Sequence, residues 1–396
     1  MKLAVSSSAR EPAPKVGLVL TGGGARAAYQ VGVLKAVAEL LPQRPNPFRV
    51  IVGTSAGAVA ASAIAARARR WQRAVEQIEH VWGNFHVDQV FYVGMRRMVR
   101  SGLHWLAALA SAGRLVSPPS ALFDNAPLHQ LLSHSVNWRG IRRNIARGDL
   151  DALGLCATSY GTALSTTFFA GNARLHEWTR YQHVGRRTEL TLAHLMASAA
   201  VPFLFPPVLL TNEYFGDGAM RQLSPLSPAI HLGANRLLVI GVRAPDKAGV
   251  MPVRARPECP TPGQLFGYML DTLFMDQIYG DLEQLERMNR IVSEAPHVAP
   301  NAVKVSTLLI TPSEDPRRYA ERHMLSPPRS LRSLFRVVGA GDAHGSQLSS
   351  YLMFEADYTR DLINLGYRDA MQRSAELVAF LTGEEIESTI SARAIQ

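Results

Sequence analysis

The chain has 396 residues, 47% hydrophobic and 19% charged, a composition that suits a folded protein with a sizeable core and excludes a disordered or fibrous chain. Lys and Arg number 42 against 32 acids, and the net charge of +10 either suits an anionic partner, phospholipid headgroups or nucleic acid, or keeps the surface soluble. The two cysteines, Cys156 and Cys259, stand far apart with no CxxC or Cys/His company, which argues against a disulfide framework and a metal site.

Residues 1–14 mix serine, proline and charge and read as a disordered N-terminus. The apolar stretch after Lys2 is too short for a signal peptide, and no window reaches the roughly 18 apolar residues of a spanning helix. The expected location is cytoplasmic, with peripheral contact at the inner face of the membrane. Val16–Leu20 predicts a buried strand and Ala25–Leu41 a helix closed by Pro42. Val50–Val52 repeats the strand signal, and the alanine-rich run from Ala56 to Ala68 predicts a second helix. This βαβα opening implies a mainly parallel sheet covered by helices.

Trp71 to Arg147 lacks β alternation, so residues 71–148 are expected as a helical insertion or cap within a catalytic domain spanning 15–245. Further strands are expected at Leu153–Thr158, Thr166–Ala170 and Arg236–Val242, with a helix at Leu192–Ala200. The proline-rich break from Pro245 to Pro262 opens a mostly helical C-terminal extension, 246–396, with helices at Leu265–Ile291 and Met353–Leu381 and a strand at Val305–Ile310. That third either forms a unit of its own or completes the first sheet.

Three motifs carry chemistry. Gly53–Thr54–Ser55–Ala56–Gly57 is G-x-S-x-G between a strand and a helix, the setting that lifts a nucleophilic serine clear of the backbone. Gly22–Gly23–Gly24–Ala25–Arg26 also joins strand to helix, and its consecutive amides form an anion-binding nest. A dinucleotide fold would need an acid ending the second strand, and a P-loop would need Gly-Lys-Ser/Thr. Neither is present, so an oxyanion hole is the expected role. Arg26 either shapes this loop and adds positive charge to it, or caps the helix from solvent. Asp217–Gly218–Ala219 is the third motif, and alone it is a turn.

In this order, the three motifs resemble the patatin-like phospholipase family, which pairs G-G-G-x-R, G-x-S-x-G and D-G-A/G. Met196 to Pro202 followed by Phe205–Pro206–Pro207 is similar to the family's segment before its aspartate motif. The resemblance covers about Val16 to Val242 and implies a three-layer α/β/α sandwich with a Ser–Asp dyad. Ser55 would then be the nucleophile and Asp217 its base, with the amides of Gly22 to Gly24, beside Arg26, as oxyanion hole; no metal or cofactor is implied. The substrate would be a phospholipid or other lipid ester.

An α/β-hydrolase triad drawing on His231, His297, His323 or His344 is the rival enzyme reading. A nucleotide-binding module built on Gly22–Gly24 is the rival of another class, and nucleic acid has no recognition signature here. Arg96, Arg97 and Arg100 lie beside Met95, Met98, Val99, Leu106 and Leu109 at helical spacing, either a cap helix or a basic amphipathic helix for an anionic membrane. Oligomeric state is not legible.

Overall fold

The computed structural model describes residues 14–93, 120–244, 259–274, 276–295, 303–340 and 346–383, with 104, 110 and 297. Residues 1–13 of the expected disordered terminus, Arg96, Arg97 and Arg100, and His344 lie outside the described residues.

Among the described residues, ten strands form one mixed sheet in the order β10-β9-β1-β2-β3-β4-β6-β5, with β8 on β3 and β7 on β8. Its centre is parallel: β1 (Val16–Leu20) lies between β2 (Phe48–Thr54) and β9 (Arg236–Ile240), and β3 (Ala152–Ser159) follows β2. All residues of β1 and β3 are buried, as continuous apolar strands covered on both faces must be. Helix α1 (Ala28–Leu40) follows β1 after a 3-10 turn at Gly24–Ala27, and α2 (Ala56–Ala66) follows β2. The short strands β5 (Trp178–Arg180), β7 (Val208–Leu210) and β8 (Glu213–Asp217) have exposed or glycine-bearing positions and gave no alternation to read. β4 (Ser165–Gly171) and β6 (His183–Arg187) complete that flank.

The stretch between Trp71 and Arg147 contributes α3 (Trp71–Trp82), α4 (Ala126–Ser135) and α5 (Trp138–Arg147). α6 (Leu192–Ser198) ends two residues earlier than expected, ahead of Pro202, and the short α7 (Ser227–His231) packs on β1 and β2.

Beyond residue 245, β10 (Ser306–Ile310) joins the same sheet, parallel to β9. The single helix expected at Leu265–Ile291 is two, α8 (Pro262–Phe274) and α9 (Asp276–Glu294). Short helices α10 (Pro316–Arg322), α11 (Arg329–Val337) and α12 (Ser346–Leu352) follow, then α13 (Ala356–Gln372) and α14 (Ser374–Thr382). α13 lies along α1 at very short range: a Cβ on Gly32 would stand 1.9 Å from the Ile363 carbonyl oxygen, and one on Gly366 would stand 2.1 Å from that of Tyr29. One hydrophobic core runs from Val16 to Leu381, so the C-terminal third completes the sheet and core rather than packing apart. No helix among the described residues is long and apolar enough to cross a membrane.

Candidate active site

Strand register brings the motifs together. Leu20 pairs with Gly53 and Thr54 pairs with Cys156, so the loops after β1 and β2 emerge side by side. Where β2 ends, β8 takes its place along β3, and Asp217 pairs with Ala157, the neighbour of Cys156. Asp217 therefore arrives beside Ser55 although 162 positions separate them in sequence (217 − 55).

Ser55 has φ 54° and ψ −127°, a backbone conformation that favours glycine and costs a non-glycine residue about 1–3 kcal/mol. The surroundings hold it there. On the helical side, Ala58 N–H donates to the Ser55 carbonyl at 2.9 Å, and on the strand side Ser55 N–H donates to Ser198 Oγ at 3.0 Å. Gly57 lets α2 start hard against β1, because a Cβ there would meet the Leu20 and Thr21 carbonyl oxygens at 2.5 Å. Gly53 is equally confined, 2.5 Å from Ala58 Cα by the same measure.

Asp217 is 1% exposed. Its Oδ1 accepts the Ala219 N–H at 2.9 Å, while Oδ2 has no hydrogen-bond partner among the described residues. Burial pushes the carboxyl pKa up to about 7, and the nearby Ser55 hydroxyl and the Ala219 amide each pull it back down. Ser55 thus approaches the carboxylate without closing a hydrogen bond of standard length and angle, a looseness common before substrate binds. Gly218 follows with no room for a side chain, since a Cβ would lie 2.3 Å from the Cys156 carbonyl oxygen.

The glycine loop sits against the serine: a Cβ on Gly22 would be 3.1 Å from Ser55 Cβ. Among the described residues no acceptor takes the amides of Gly22 or Gly23. Gly24 has φ +52° and faces the Tyr351 carbonyl oxygen, 2.4 Å from where its Cβ would be. Arg26 does not cap from solvent. It is 1% exposed, with Nη1 on Asp271 Oδ1 at 2.8 Å, Nε on Ser350 Oγ at 2.9 Å and the guanidinium 3.9 Å above the Tyr351 ring. These bonds turn its charge toward the C-terminal helices, so it fastens the loop from behind.

Ser55 opens on a pocket of about 1060 Å³, its open mouth included, between α2, α3 and α4. Val59, Ala63, Ile78, Trp82, Leu132 and Phe205 are among its lining, and among the described residues no charged side chain is. Of the histidines weighed for a triad, His231 stacks on Trp178 at 4.9 Å and His323 pairs with Asp361 at 2.8 Å. No histidine among the described residues lines this pocket. No group of side chains among the described residues is arranged to hold a metal ion.

Sequence reasoning singled out the Met196–Pro202 segment without giving Ser198 a role, and it missed Asp271 and Tyr351. For Asp271 a signal existed: it is a lone acid on the apolar stripe Gly267–Leu270–Phe274 of α8, which is where an acid has to be paired.

The fold is an α/β/α sandwich with Ser55 in a strained strand-to-helix turn beside an apolar pocket. Residues 18–230, more than half of the chain, match the family described as Patatin-like phospholipase, and the chain belongs to that family. No curated protein matches the chain. Among solved structures it is similar to VipD from Legionella pneumophila, at 13% identity over 92% of this chain and 67% of that one, TM-score 0.33. It is also similar to human GIVD cytosolic phospholipase A2, at 13% identity and TM-score 0.44, covering 94% of this chain and 60% of the human one. A third is ExoU of Pseudomonas aeruginosa in complex with SpcU, at 14% identity, 95% and 81% coverage and TM-score 0.28.

Proposed function

We propose that the protein is a serine lipid acyl hydrolase that cleaves carboxylic esters through an acyl-Ser55 intermediate, with Asp217 as base. The observation that carries this reading is the meeting of a strained, buried serine with a buried carboxylate, the serine lying at the edge of a pocket lined largely by apolar side chains. Ser55 Oγ attacks the ester carbonyl carbon and its proton passes to Asp217. The resulting oxyanion is held by the Gly22–Gly24 amides, each such donor being worth about 2.7–4 kcal/mol in hydrolases that use one. Asp217 returns the proton to the leaving alcohol, then takes one from the water that attacks the acyl-serine. A carboxylate with pKa about 7 is a far better base than one near 3.8, which is what burial supplies.

Purified protein incubated with a lipid extract should release fatty acid, and the Ser55→Ala protein should not. Fluorophosphonate labelling should map to Ser55, and an adduct on another serine would sink the reading. The pocket is proposed to take the acyl chain. Ala63 lies eight residues along α2 from Ser55, about 12 Å deeper. Ala63→Phe should therefore cut hydrolysis of long-chain esters by about 10-fold or more while short-chain esters are cleaved as by wild type. Equal losses on both would place the acyl chain elsewhere.

The proposed substrate is a phospholipid or related lipid ester, met at an anionic membrane surface through Arg96, Arg97 and Arg100. Each basic residue near such a surface contributes about 1 kcal/mol. Turning all three to glutamine should lower sedimentation with anionic liposomes by roughly 100-fold at low salt. Unchanged sedimentation would assign the segment to a cap.

A further inference from the structure

α6 ends at Ser198, with Ala199 as its C-cap, and Pro202 blocks any continuation. The closing residues turn back on the helix, with Ala199 N–H on the Leu195 carbonyl at 3.1 Å and Ala200 N–H on that of Ala197 at 3.3 Å. Two groups of this turn reach the two halves of the site. Ser198 Oγ accepts the Ser55 N–H at 3.0 Å, and the Ala200 carbonyl accepts the Asp217 N–H at 2.8 Å. Ser198 and Ala200 are both wholly buried, so neither bond competes with water. Ser55 follows β2 and Asp217 ends β8, strands that are not hydrogen-bonded to each other. Among the described residues, Ser198–Ala200 is the one segment that hydrogen-bonds to the main chain of both.

We infer that the Ser198–Ala200 turn is a clamp that sets the distance between nucleophile and base, with Ser198 as a positioning residue. The inference rests on the proposed Ser55–Asp217 dyad. Ser55 occupies a glycine-like conformation, so its amide needs a fixed acceptor on the strand side. Asp217 approaches Ser55 without a closed hydrogen bond, so a small rotation of the serine peptide changes whether the proton can pass. Ser198 is wholly buried and its hydroxyl oxygen is taken up by the Ser55 amide, so it acts through Ser55.

The test is Ser198→Ala against wild type on one soluble ester. It leaves a buried amide without an acceptor, and kcat should fall about 10-fold or more with KM within about twofold. The rate of fluorophosphonate labelling at Ser55 should fall in step, and circular dichroism should be unchanged. Ser198→Thr, which keeps the hydroxyl, should restore most of kcat. If Ser198→Ala does not fold, Ser198→Cys, a weak acceptor of similar size, carries the same comparison. Wild-type kcat in either variant, or a loss confined to KM, overturns the clamp. Failure of the dyad itself would show differently, as label on a residue other than Ser55 in the wild-type protein.

Discussion

Asp217→Asn should lower ester hydrolysis by about 10³-fold and at the same time stabilise the fold above pH 7. Asparagine keeps the acceptor for the Ala219 amide but takes no proton from Ser55. The gain in stability follows from the carboxyl pKa, raised by burial from 3.8 to about 7. Below about pH 3.8 the carboxyl is protonated whether the chain is folded or not, and its contribution to stability is complete. From there to about pH 7 the unfolded chain ionises it and the folded one resists, so stability drains away as pH rises. Above pH 7 the wild-type fold carries the whole penalty, up to about 4 kcal/mol for a shift of this size. The Asp217→Asn protein carries none, so denaturant midpoints should separate at pH 8 and converge near pH 3.5. The same ionisation sets activity. Wild-type kcat/KM should rise about tenfold per pH unit below 7 and level off above it. A flat profile between pH 5 and 8, or an Asp217→Asn protein no more stable than wild type at pH 8, would rule out Asp217 as the buried base.

Asp271→Ala should destabilise the protein by roughly 3–5 kcal/mol, because it leaves the Arg26 guanidinium buried without its counter-charge. Burial works against that charge, and Tyr351 and Asp271 outweigh it, holding the Arg26 pKa above its ordinary value. Asp271 also accepts from the Tyr351 hydroxyl at 2.6 Å and from Gln347, so one carboxylate ties α8, α12 and the glycine loop together. Tyr351 in turn places its carbonyl against Gly24. Loss of the pair should therefore loosen the proposed oxyanion loop and reduce kcat as well as the unfolding midpoint. Replacing both partners, Arg26→Met with Asp271→Leu, removes the unpaired charge and should recover much of the stability, whereas kcat stays low if the guanidinium shapes the loop. Wild-type stability in Asp271→Ala would show that the pair holds nothing. This brace comes from beyond the residues that match the family, which end at residue 230.

The βαβα opening, the serine elbow and the glycine loop were legible in the sequence because each is local. An apolar run of five to seven residues, glycines where no side chain fits and a helical alanine stretch all act within a few residues of each other. The resemblance of three ordered motifs reached further and singled out Asp217, which alone reads as a turn. Only the tertiary structure decided what sits around these pieces. β8 meets β3 through a register no sequence period announces, and that register is what sets Asp217 beside Ser55. Arg26 could have faced solvent or protein, and its burial depends on Asp271, 245 residues away. Whether the last third stands apart was open in the sequence, because a strand such as Ser306–Ile310 is apolar in either case. Its pairing with β9, and the contact of α13 with α1 through two glycines, draw it into the same core. Local backbone preferences act over a few residues and are written in order along the chain, whereas pairing, burial and charge compensation depend on which distant segments arrive together.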